Sequence, residues 1–460
     1  MKKLYMVTDL GPGDGGKGGV VHKIAHMQKA HTIVKVGGAQ GSHGVRTSNG
    51  DFFAFSQFGC GTFEGVRTYI SKRFVADPLA LMAEARALEE VGVSHPLRLL
   101  HVSSDTLCST VFHMAASQLS ELLLRDKPRG TIGSGVGAAY RLNESHPELS
   151  VHMRDLAYPR LRDKLAAVQA HYRNQFTEAL KDLDCFQMID LKYVAEAQGI
   201  LKSEDLVDSA YALMSEFAAQ KRIVSDDYLS DNILSRQGVV ISESSHGVLT
   251  DCFTGFHPHT SALRTLPRFT KALYEDTGYD GEIVSLGVHR AYQIRHGAGP
   301  LVTHDESMSE ALLPGSNKQE NRWQGSVRVG PLDLVSLRYA LAASGKDAYD
   351  GLAITWFDQV EKLGSWRMAT HYEGPLDNRF FTKDGDIKVR VGTDETQLAY
   401  LGQLTRQLQA VTPVVSQVLL PFGGDRDELY QLCASTLLEH LGVPVRMVSF
   451  GPTERDKVCK

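Results

Sequence analysis

Short apolar runs alternate with amphipathic stretches along most of the chain, and this alternation predicts strands and helices in turn. Residues 4–7 and 32–36 predict buried strands, each followed by a glycine-rich stretch. Asp77 before Pro78 predicts a helix start, because the carboxylate caps the first turn and proline fits the first helical position. The expected fold class is therefore α/β: a large, mostly parallel central sheet with helices on both faces and a P-loop-like nucleotide-binding architecture.

The second half of the chain keeps this alternation, with a helix predicted over 332–343 and a strand over 414–420. Between about residues 156 and 235 the sequence becomes charged and helical in pattern, with few glycines. This stretch predicts a mainly helical insertion rather than a linker. We expect one domain over residues 1–460, with helical insertions.

The composition is that of an ordinary globular protein, with 42% hydrophobic and 22% charged residues and a net charge of -5. This charge gives no support for a nucleic-acid or membrane partner. The N-terminus lacks the long apolar region of a signal peptide. The six cysteines form no CxxC pair, which favours a reduced protein with free thiols and a cytoplasmic location.

The first glycine-rich stretch, residues 9–19, reads Asp-Leu-Gly-Pro-Gly-Asp-Gly-Gly-Lys-Gly-Gly. Gly11, Gly16 and Lys17 fit the P-loop spacing, but Gly18 stands where that motif has the hydroxyl that binds magnesium. Asp14 could bind magnesium instead, accept a proton, or only cap the turn. Lys17 would place a positive charge on phosphate oxygens. The alternative is a βα turn without ligand, ending in a solvated lysine.

Two further glycine-rich stretches follow at residues 37–44 and 129–137. His43 in the former suits protonating or polarising a reacting oxygen, unless it is an exposed loop histidine. His246, His257 and His259 could together ligate a metal, but their spacing favours structural or substrate contacts. Two arginines, Arg322 and Arg328, could clamp a carboxylate or phosphate, or be surface charge.

Taken in order, these motifs resemble those of the adenylosuccinate synthetase family, from residue 1 to about 455. Residues 13–18, Gly-Asp-Gly-Gly-Lys-Gly, are similar to the family's Gly-Asp-Glu-Gly-Lys-Gly. Residues 37–43 stand where the family has Gly-Gly-His-Asn-Ala-Gly-His, and residues 130–140 where it has Gly-Thr-Thr-Gly-Arg-Gly-Ile-Gly-Pro-Ala-Tyr. Residues 297–300, Gly-Ala-Gly-Pro, and the Gly-Pro at 451–452 also match.

The resemblance implies a ligase that phosphorylates O6 of an inosine monophosphate-like purine and then lets aspartate displace the phosphoryl group. Asp14 would take the N1 proton and help to hold Mg²⁺ with Ser42, while His43 and Lys17 stabilise the transferring group. The partners implied are a purine monophosphate, GTP or ATP, and aspartate or a similar amine, in a homodimer. The positions assigned to nucleotide binding are Gly13, Gly15, Gly16, Gly18, Gln40, Thr131, His246, Thr260, Arg328, Asp358 and Gly451.

Several positions depart from the family pattern. The glutamate after the catalytic aspartate is Gly15, and the asparagine of the second motif is Gln40. Residues 142–147 lack the arginine expected to reach the partner subunit's site, and only Arg328 aligns with the arginine run of the aspartate loop. The family's guanine-reading Thr-Lys-Leu-Asp becomes Thr-Trp-Phe-Asp at 355–358, so that Trp356 replaces a lysine. The transfer residues are thus kept while substrate recognition is altered.

Two hypotheses follow. The chain is a ligase, acting either on inosine monophosphate with GTP and aspartate or, as a paralogue, on a 2-aminopurine or deoxynucleotide acceptor with ATP as donor. Phage-type enzymes of the latter kind commonly have serine at the position of Asp14, which argues against a direct match. Alternatively it is a purine-nucleotide sensor without turnover, although a pure binder needs neither Asp14 nor His43 as a proton-transfer group.

Overall fold

The structure, a computed structural model, describes residues 1–125, 127–181, 188–314, 320, 322–345, 347–421 and 423–460. The strands are β1 (Lys2–Asp9), β2 (Thr32–Gly38), β3 (His43–Arg46), β4 (Phe52–Phe55), β5 (Arg67–Ala76), β6 (Leu100–Ser103), β7 (Leu107–Cys108), β8 (Ile223–Val224), β9 (Gly238–Gly247), β10 (Glu282–Arg290), β11 (Gln293–His296), β12 (Val327–Gly330), β13 (Leu332–Asp333), β14 (Gly351–Thr355), β15 (Ser365–Glu373), β16 (Thr412–Leu419), β17 (Val445–Ser449) and β18 (Lys457–Cys459).

The α-helices among these residues are α1 (Lys17–Gln28), α2 (Pro78–Glu90), α3 (Val111–Leu122), α4 (Val136–Ser145), α5 (Arg160–Thr177), α6 (Met188–Lys202), α7 (Asp205–Ala219), α8 (Pro267–Glu275), α9 (Glu306–Leu312), α10 (Leu334–Ser344), α11 (Phe357–Lys362), α12 (Glu395–Gln407) and α13 (Arg426–Leu441).

The central sheet has the strand order β18-β17-β14-β10-β1-β9-β2-β5-β6-β8, with β7 also paired to β5. Its described pairs are parallel except for the antiparallel β17–β18 pair at one edge. This confirms the predicted mostly parallel α/β sheet. Smaller sheets are formed by β3 with β4, by β11 with β12, and by β13 with β15 and β16.

The strand order reverses at β1. From β1 the chain builds outward on one side through β2 and β5, and later on the other side through β10, β14 and β17. In open parallel sheets, ligands bind at the carboxyl ends of the strands where the order reverses. The glycine-rich residues 10–16, called here the first loop, follow β1 at this point.

The helix predicted at Asp77 is confirmed, since the Asp77 carboxylate accepts hydrogen bonds from the backbone N–H groups of Leu79 and Ala80. The helix predicted over 332–343 begins two residues later, at Leu334, because Leu332 and Asp333 first pair with β15. The strand predicted over 414–420 is present as β16, but it pairs with β15 outside the central sheet.

The stretch from 156 to 235 contains α5, α6 and α7, together with the short strand β8 and a π-helical turn at Leu229–Leu234. Residues 182–187, which the prediction of a helical insertion included, lie outside the described residues. Apolar side chains of these helices, such as Leu165, Val194 and Phe217, belong to the same buried cluster as Val20 of α1. The helices therefore pack on the core beside the sheet.

The described cysteines carry free thiols, and Cys185 lies outside the described residues. Among the described helices, none is both long and apolar enough to cross a membrane.

Candidate active site

The first loop folds around the carboxylate of Asp9, the last residue of β1. Gly13, Asp14 and Gly16 have φ values of 112°, 59° and 90°, a left-handed backbone in which glycine, and next to it aspartate, is best tolerated. The N–H groups of Gly11 and Gly15 point inward and donate to the Asp9 carboxylate at 2.8 and 2.7 Å. Two N–H groups of the first loop thus converge on a carboxylate of the chain itself.

Lys17, the first residue of α1, is buried at the centre of this arrangement. Its Nζ donates to Asp9 Oδ2 and to the backbone carbonyl of His246, both at 2.9 Å. The solvated lysine considered from the sequence is therefore not what the fold contains. Gly18 follows because a Cβ there would lie 2.7 Å from the Gly44 carbonyl oxygen.

Asp14 is half-buried at the outer turn of the first loop. Its backbone carbonyl accepts a hydrogen bond from Arg290 Nε at 2.6 Å, and the Arg290 guanidinium lies 4.3 Å from the ring centroid of Trp356. The Thr355 hydroxyl donates to the Gly15 carbonyl at 2.6 Å. The first loop is thus joined to the end of β14, where Trp356 and Asp358 begin α11.

The second loop, residues 37–42, begins in the last two residues of β2 and packs on the end of β9. Gly38 N donates to Ser245 Oγ at 2.7 Å, and the Gln40 and His246 side chains are in direct contact. Gly37 must be glycine, because a Cβ would lie 1.9 Å from Ser245 Oγ. Ser42, predicted as a metal ligand, is exposed at the end of this loop.

His43 is buried and is held by Glu243 of β9. Its Nδ1 lies 2.6 Å from Glu243 Oε1, so Nδ1 carries the hydrogen and Nε2 is left for a ligand. Glu243 also accepts from Lys35 Nζ at 2.7 Å and from Cys60 N at 2.9 Å. We call Lys35, His43, Cys60 and Glu243 the Glu243 cluster.

Burial and neighbouring charges change the pKa values of Glu243, His43 and His246. Burial would raise the pKa of Glu243, but the Lys35 ammonium and the hydrogen bond from His43 hold it well below its usual range. Burial lowers the pKa of His43 to about 4, against the opposing effect of Glu243. Burial and the nearby Lys17 charge also lower the pKa of His246 to about 4. At neutral pH both imidazoles are therefore neutral.

The donor atoms of His43, Cys60 and Glu243 lie within 4.8 Å of one another, which is close enough to hold a metal ion. The Glu243 oxygens, however, already accept from Lys35, His43 and Cys60 N. A cation here would compete with the buried Lys35 ammonium. The cluster therefore orients His43 and is not a metal centre.

The third loop, residues 129–135 before α4, meets the second loop and the stretch 257–260. Val136 Cγ1 lies 2.7 Å from the position of a Cβ on Gly38, and the Arg129 carbonyl lies 3.3 Å from His259 Nδ1. Thr131 Oγ1 accepts from Gly133 N at 3.2 Å within the third loop. Thr260 is half-buried and directly follows His259 in the chain.

The remaining candidates from the sequence are Arg328, Arg322, Asp358 and Gly451. Arg328 Nη2 donates to the carbonyls of Gly297 and Gly299 at 2.7 and 2.8 Å. Arg322 pairs instead with Asp190, so the two arginines do not share a partner in these contacts. Asp358 contacts Gln359 and Lys362, and burial raises its pKa. Gly451 follows β17, where a Cβ would lie 2.8 Å from Asp456 Cγ.

Sequence reasoning did not select four residues that organise this site, which are Asp9, Lys35, Glu243 and Arg290. A charged residue inside an otherwise apolar strand was the available indication for Lys35, in the run Thr-Ile-Val-Lys-Val. For Asp9 it was the position at the junction of a strand and a glycine-rich loop.

Loops at the carboxyl edge of a parallel sheet, with a buried lysine and an oriented histidine, define a nucleotide-binding α/β enzyme of the phosphoryl-transfer class. The adenylosuccinate synthetase family model matches residues 6–458. The chain belongs to the adenylosuccinate synthetase family, and it is a nucleoside-triphosphate-dependent carbon–nitrogen ligase of purine nucleotides.

Individual relatives are distant in sequence. An adenylosuccinate synthetase of Rhodococcus erythropolis is 26% identical over 367 residues, which cover 78% of this chain and 79% of the relative. The fully ligated adenylosuccinate synthetase of Plasmodium falciparum has a similar fold, with a TM-score of 0.73, 16% identity and 99% of each chain covered. The cyanophage S-2L succinoaminodeoxyadenylate synthetase (PurZ), bound to dGMP and dATP, gives a TM-score of 0.56 at 13% identity, covering 100% of this chain and 95% of that one.

Proposed function

We propose that Asp14, Lys17 and His43 carry the reaction, in two steps. Asp14 takes the N1 proton while O6 of the purine attacks the γ-phosphorus, and the bond to the leaving nucleoside diphosphate breaks. The amine of aspartate, or of a related compound, then attacks C6, and inorganic phosphate leaves from O6. The observation that carries this proposal is that β9 holds both other groups, with Glu243 bonded to His43 and the His246 carbonyl bonded to Lys17.

Lys17 and His43 act on the charge of the transferring group. Two ammonium hydrogens of Lys17 are held by Asp9 and His246, which leaves one for a phosphoryl oxygen. His43 is neutral without ligand, because its pKa lies at about 4. A bound phosphate brings negative charge close to Nε2 and raises that pKa, so that the imidazolium can donate to the transferring oxygen.

Mg²⁺ fits the half-buried Asp14 better than any other described group of this site. Mg²⁺ prefers one or two carboxylates, with phosphate oxygens and water completing its shell, and Asp14 offers such a carboxylate beside the phosphate-binding loop. Ser42, at the end of the second loop, is the second predicted ligand. When bound, the ion neutralises charge on the donor phosphates.

The base of the donor is proposed to lie against Trp356 and Asp358. Asp358 can accept the two adjacent N–H groups on the edge of guanine, whereas adenine does not present such a pair. This supports GTP as donor. Trp356 can stack on either purine, and its other face is covered by Arg290 at 4.3 Å, so ATP is the alternative donor.

The changed recognition residues favour an acceptor other than inosine monophosphate as the alternative. Several arginines of the family pattern are missing, and each charge-assisted hydrogen bond lost weakens binding by about 1.5–3 kcal/mol. A paralogue acting on a 2-aminopurine or deoxynucleotide would explain these losses. The cyanophage relative, which binds dGMP and dATP, illustrates that possibility on a similar fold.

Three further predictions rest on family membership and composition. They are a homodimer, which sedimentation velocity would detect, a cytoplasmic location, and a single domain with the insertion near 156–235.

The test is phosphate release with Mg²⁺ across a matrix of GTP or ATP, ribo- and deoxypurine monophosphates, and amines including aspartate. Release that needs all three components, with the adduct identified by mass spectrometry, is the expected result. The combination that works identifies the acceptor and the donor. Tight nucleotide binding without release in any combination would contradict the ligase and leave the nucleotide sensor.

A further inference from the structure

Asp9 occupies an unusual position for an acidic side chain, directly beneath a loop that receives phosphates. It is fully buried, and its two oxygens accept from Gly11 N, Gly15 N and Lys17 Nζ at 2.7 to 2.9 Å. Burying a carboxylate costs free energy unless it is hydrogen-bonded, and both oxygens of Asp9 are hydrogen-bonded. Asp9 therefore fixes both ends of the turn that contains Asp14.

The same carboxylate sets the direction of the Lys17 ammonium. Lys17 is 3% exposed, and its Nζ is held between Asp9 Oδ2 and the His246 carbonyl oxygen, each 2.9 Å away. Two anchors on a tetrahedral ammonium determine where its third hydrogen points. A flexible lysine stem alone would not provide this alignment.

Asp9 also limits the size of the residue that can stand at position 15. A Cβ on Gly15 would lie 2.6 Å from Asp9 Oδ2 and 2.9 Å from its Cγ, so a larger residue at 15 cannot coexist with Asp9. The family pattern has glutamate where this chain has Gly15. A glutamate at position 15 would therefore collide with Asp9, so this chain holds its acidic group at the end of β1 and a glycine in the loop.

We propose that Asp9 is a positioning residue of the transfer centre, which aligns Lys17 on the transferring phosphoryl group and replaces, together with Gly15, an acidic residue within the loop. The proposal rests on the proposed function, because it assigns the alignment of Lys17 to the phosphoryl-transfer step. It predicts that Asp9 acts on turnover more than on ligand binding.

The first experiment compares Asp9→Asn with the wild type at the substrate combination that supports phosphate release. The amide keeps the size of the side chain but removes its charge. We expect kcat, per nucleotide-binding site counted by equilibrium binding, to fall about 10- to 100-fold, while KM of the acceptor changes less than about 3-fold. An unchanged kcat per binding site would overturn the proposal.

Asp155→Asn is the matched control. Asp155 is also buried, and it accepts from a lysine, Lys164 Nζ at 2.9 Å, and from a backbone N–H, that of His152 at 2.9 Å. It lies in the short 3₁₀ helix before α5, away from the first loop. The control is expected to lower the melting temperature and leave kcat per binding site unchanged. Equal losses of kcat in both variants would mean that Asp9 is only structural.

The second experiment tests whether an acidic residue at position 15 can take the place of Asp9. Gly15→Glu alone is expected to lose most binding sites, because its Cβ collides with Asp9. Combining it with Asp9→Gly should restore kcat per site to within about 10-fold of the wild type, a strongly non-additive result. A double variant no better than either single one would overturn the exchange. If the wild type releases no phosphate with any substrates, the proposed function fails, whereas wild-type turnover with an unaffected Asp9→Asn defeats this inference alone.

Discussion

The proposed transfer centre, Asp14, Lys17 and His43, and the proposed recognition residues, Arg328 and Asp358, differ in how their charges are satisfied. In the transfer centre, Lys17 and His43 are buried and each is held by a carboxylate from a neighbouring strand, Asp9 or Glu243. Among the recognition residues, Asp358 and Arg328 are half-buried and are bonded to their own surroundings.

This difference indicates which side chains can be replaced without loss of structure. His43 is fixed by Glu243, 200 positions away, and Lys17 by the His246 carbonyl, 229 positions away, together with the nearby Asp9. Removing Asp9 or Glu243 would leave a buried lysine charge unpaired. Asp358 pairs within its own helix and Arg328 with two backbone carbonyls, so these two residues can change at little structural cost. Substitutions on either side of this division test it.

Asp14→Asn is expected to have the largest effect. Loss of the proposed general base should lower kcat by about 10²- to 10⁴-fold. Nucleoside triphosphate binding should persist, because Lys17 and the loop backbone are untouched. Stopped-flow phosphate release and equilibrium nucleotide binding measure the two quantities. Turnover at the wild-type rate would remove Asp14 from the mechanism.

Glu243→Gln comes next, since it removes the charge that orients His43. Loss of such an orienting partner typically costs about 10- to 100-fold in activity. The unpaired Lys35 should also lower the free energy of unfolding by about 3–5 kcal/mol, measured by urea unfolding. Glu84→Gln, which removes a half-buried carboxylate that accepts from the backbone N–H groups of Ser56, Gln57 and Phe58, is the control. If both variants turn over equally well, Glu243 does not act through His43.

How far the sequence predicts the fold follows from the range of each interaction. Local rules sufficed for the Asp77 helix start, whose cap is formed within three residues. They placed the start of α10 two residues early because the pairing of Leu332 with Met368 of β15 is not local. For the same reason the sequence predicted the strand β16 but not its pairing with β15.

The same reasoning applies to the candidate site. Glycine patterns identified the loops and drew attention to Asp14, Lys17 and His43. They did not single out Glu243, because its pair with Lys35 joins residues 208 positions apart. Asp9 lies only eight positions from Lys17, but the glycine pattern does not show that the loop folds back onto its carboxylate. A charged residue in an apolar strand shows that a partner must exist, but only the sheet order shows which one.

Asp358→Asn tests the recognition side and should have a selective effect. If GTP is the donor, loss of the carboxylate lowers GTP-dependent turnover at low GTP by about 10- to 100-fold, the value of charge-assisted hydrogen bonds. ATP-dependent turnover should change little. Glu361→Gln, in the same helix α11, controls for the loss of a negative charge. Equal losses with both donors would show that Asp358 does not read the base.

A last prediction concerns the dependence of stability on pH rather than turnover. Burial lowers the pKa of His31, His43 and His246 to about 4 and that of His113 to about 3, from 6.5. The unfolded chain therefore binds more protons than the native one between these values, so the free energy of unfolding falls as pH drops from 6.5 towards 4. Urea unfolding across this range measures it, and His31→Gln should make the dependence less steep. A free energy of unfolding that stays constant or rises as the pH falls would contradict these buried neutral histidines.

The central claim, an intact phosphoryl-transfer centre behind altered recognition residues, is tested most directly by positional isotope exchange. The nucleoside triphosphate carries ¹⁸O in its β,γ-bridge and is incubated with Mg²⁺ and the acceptor identified in the matrix, but without amine. Because transfer to O6 precedes attack by the amine, we expect the label to scramble into the β-nonbridging positions with the wild type and not with Asp14→Asn. Phosphate release that requires the amine, without any scrambling in its absence, would contradict it.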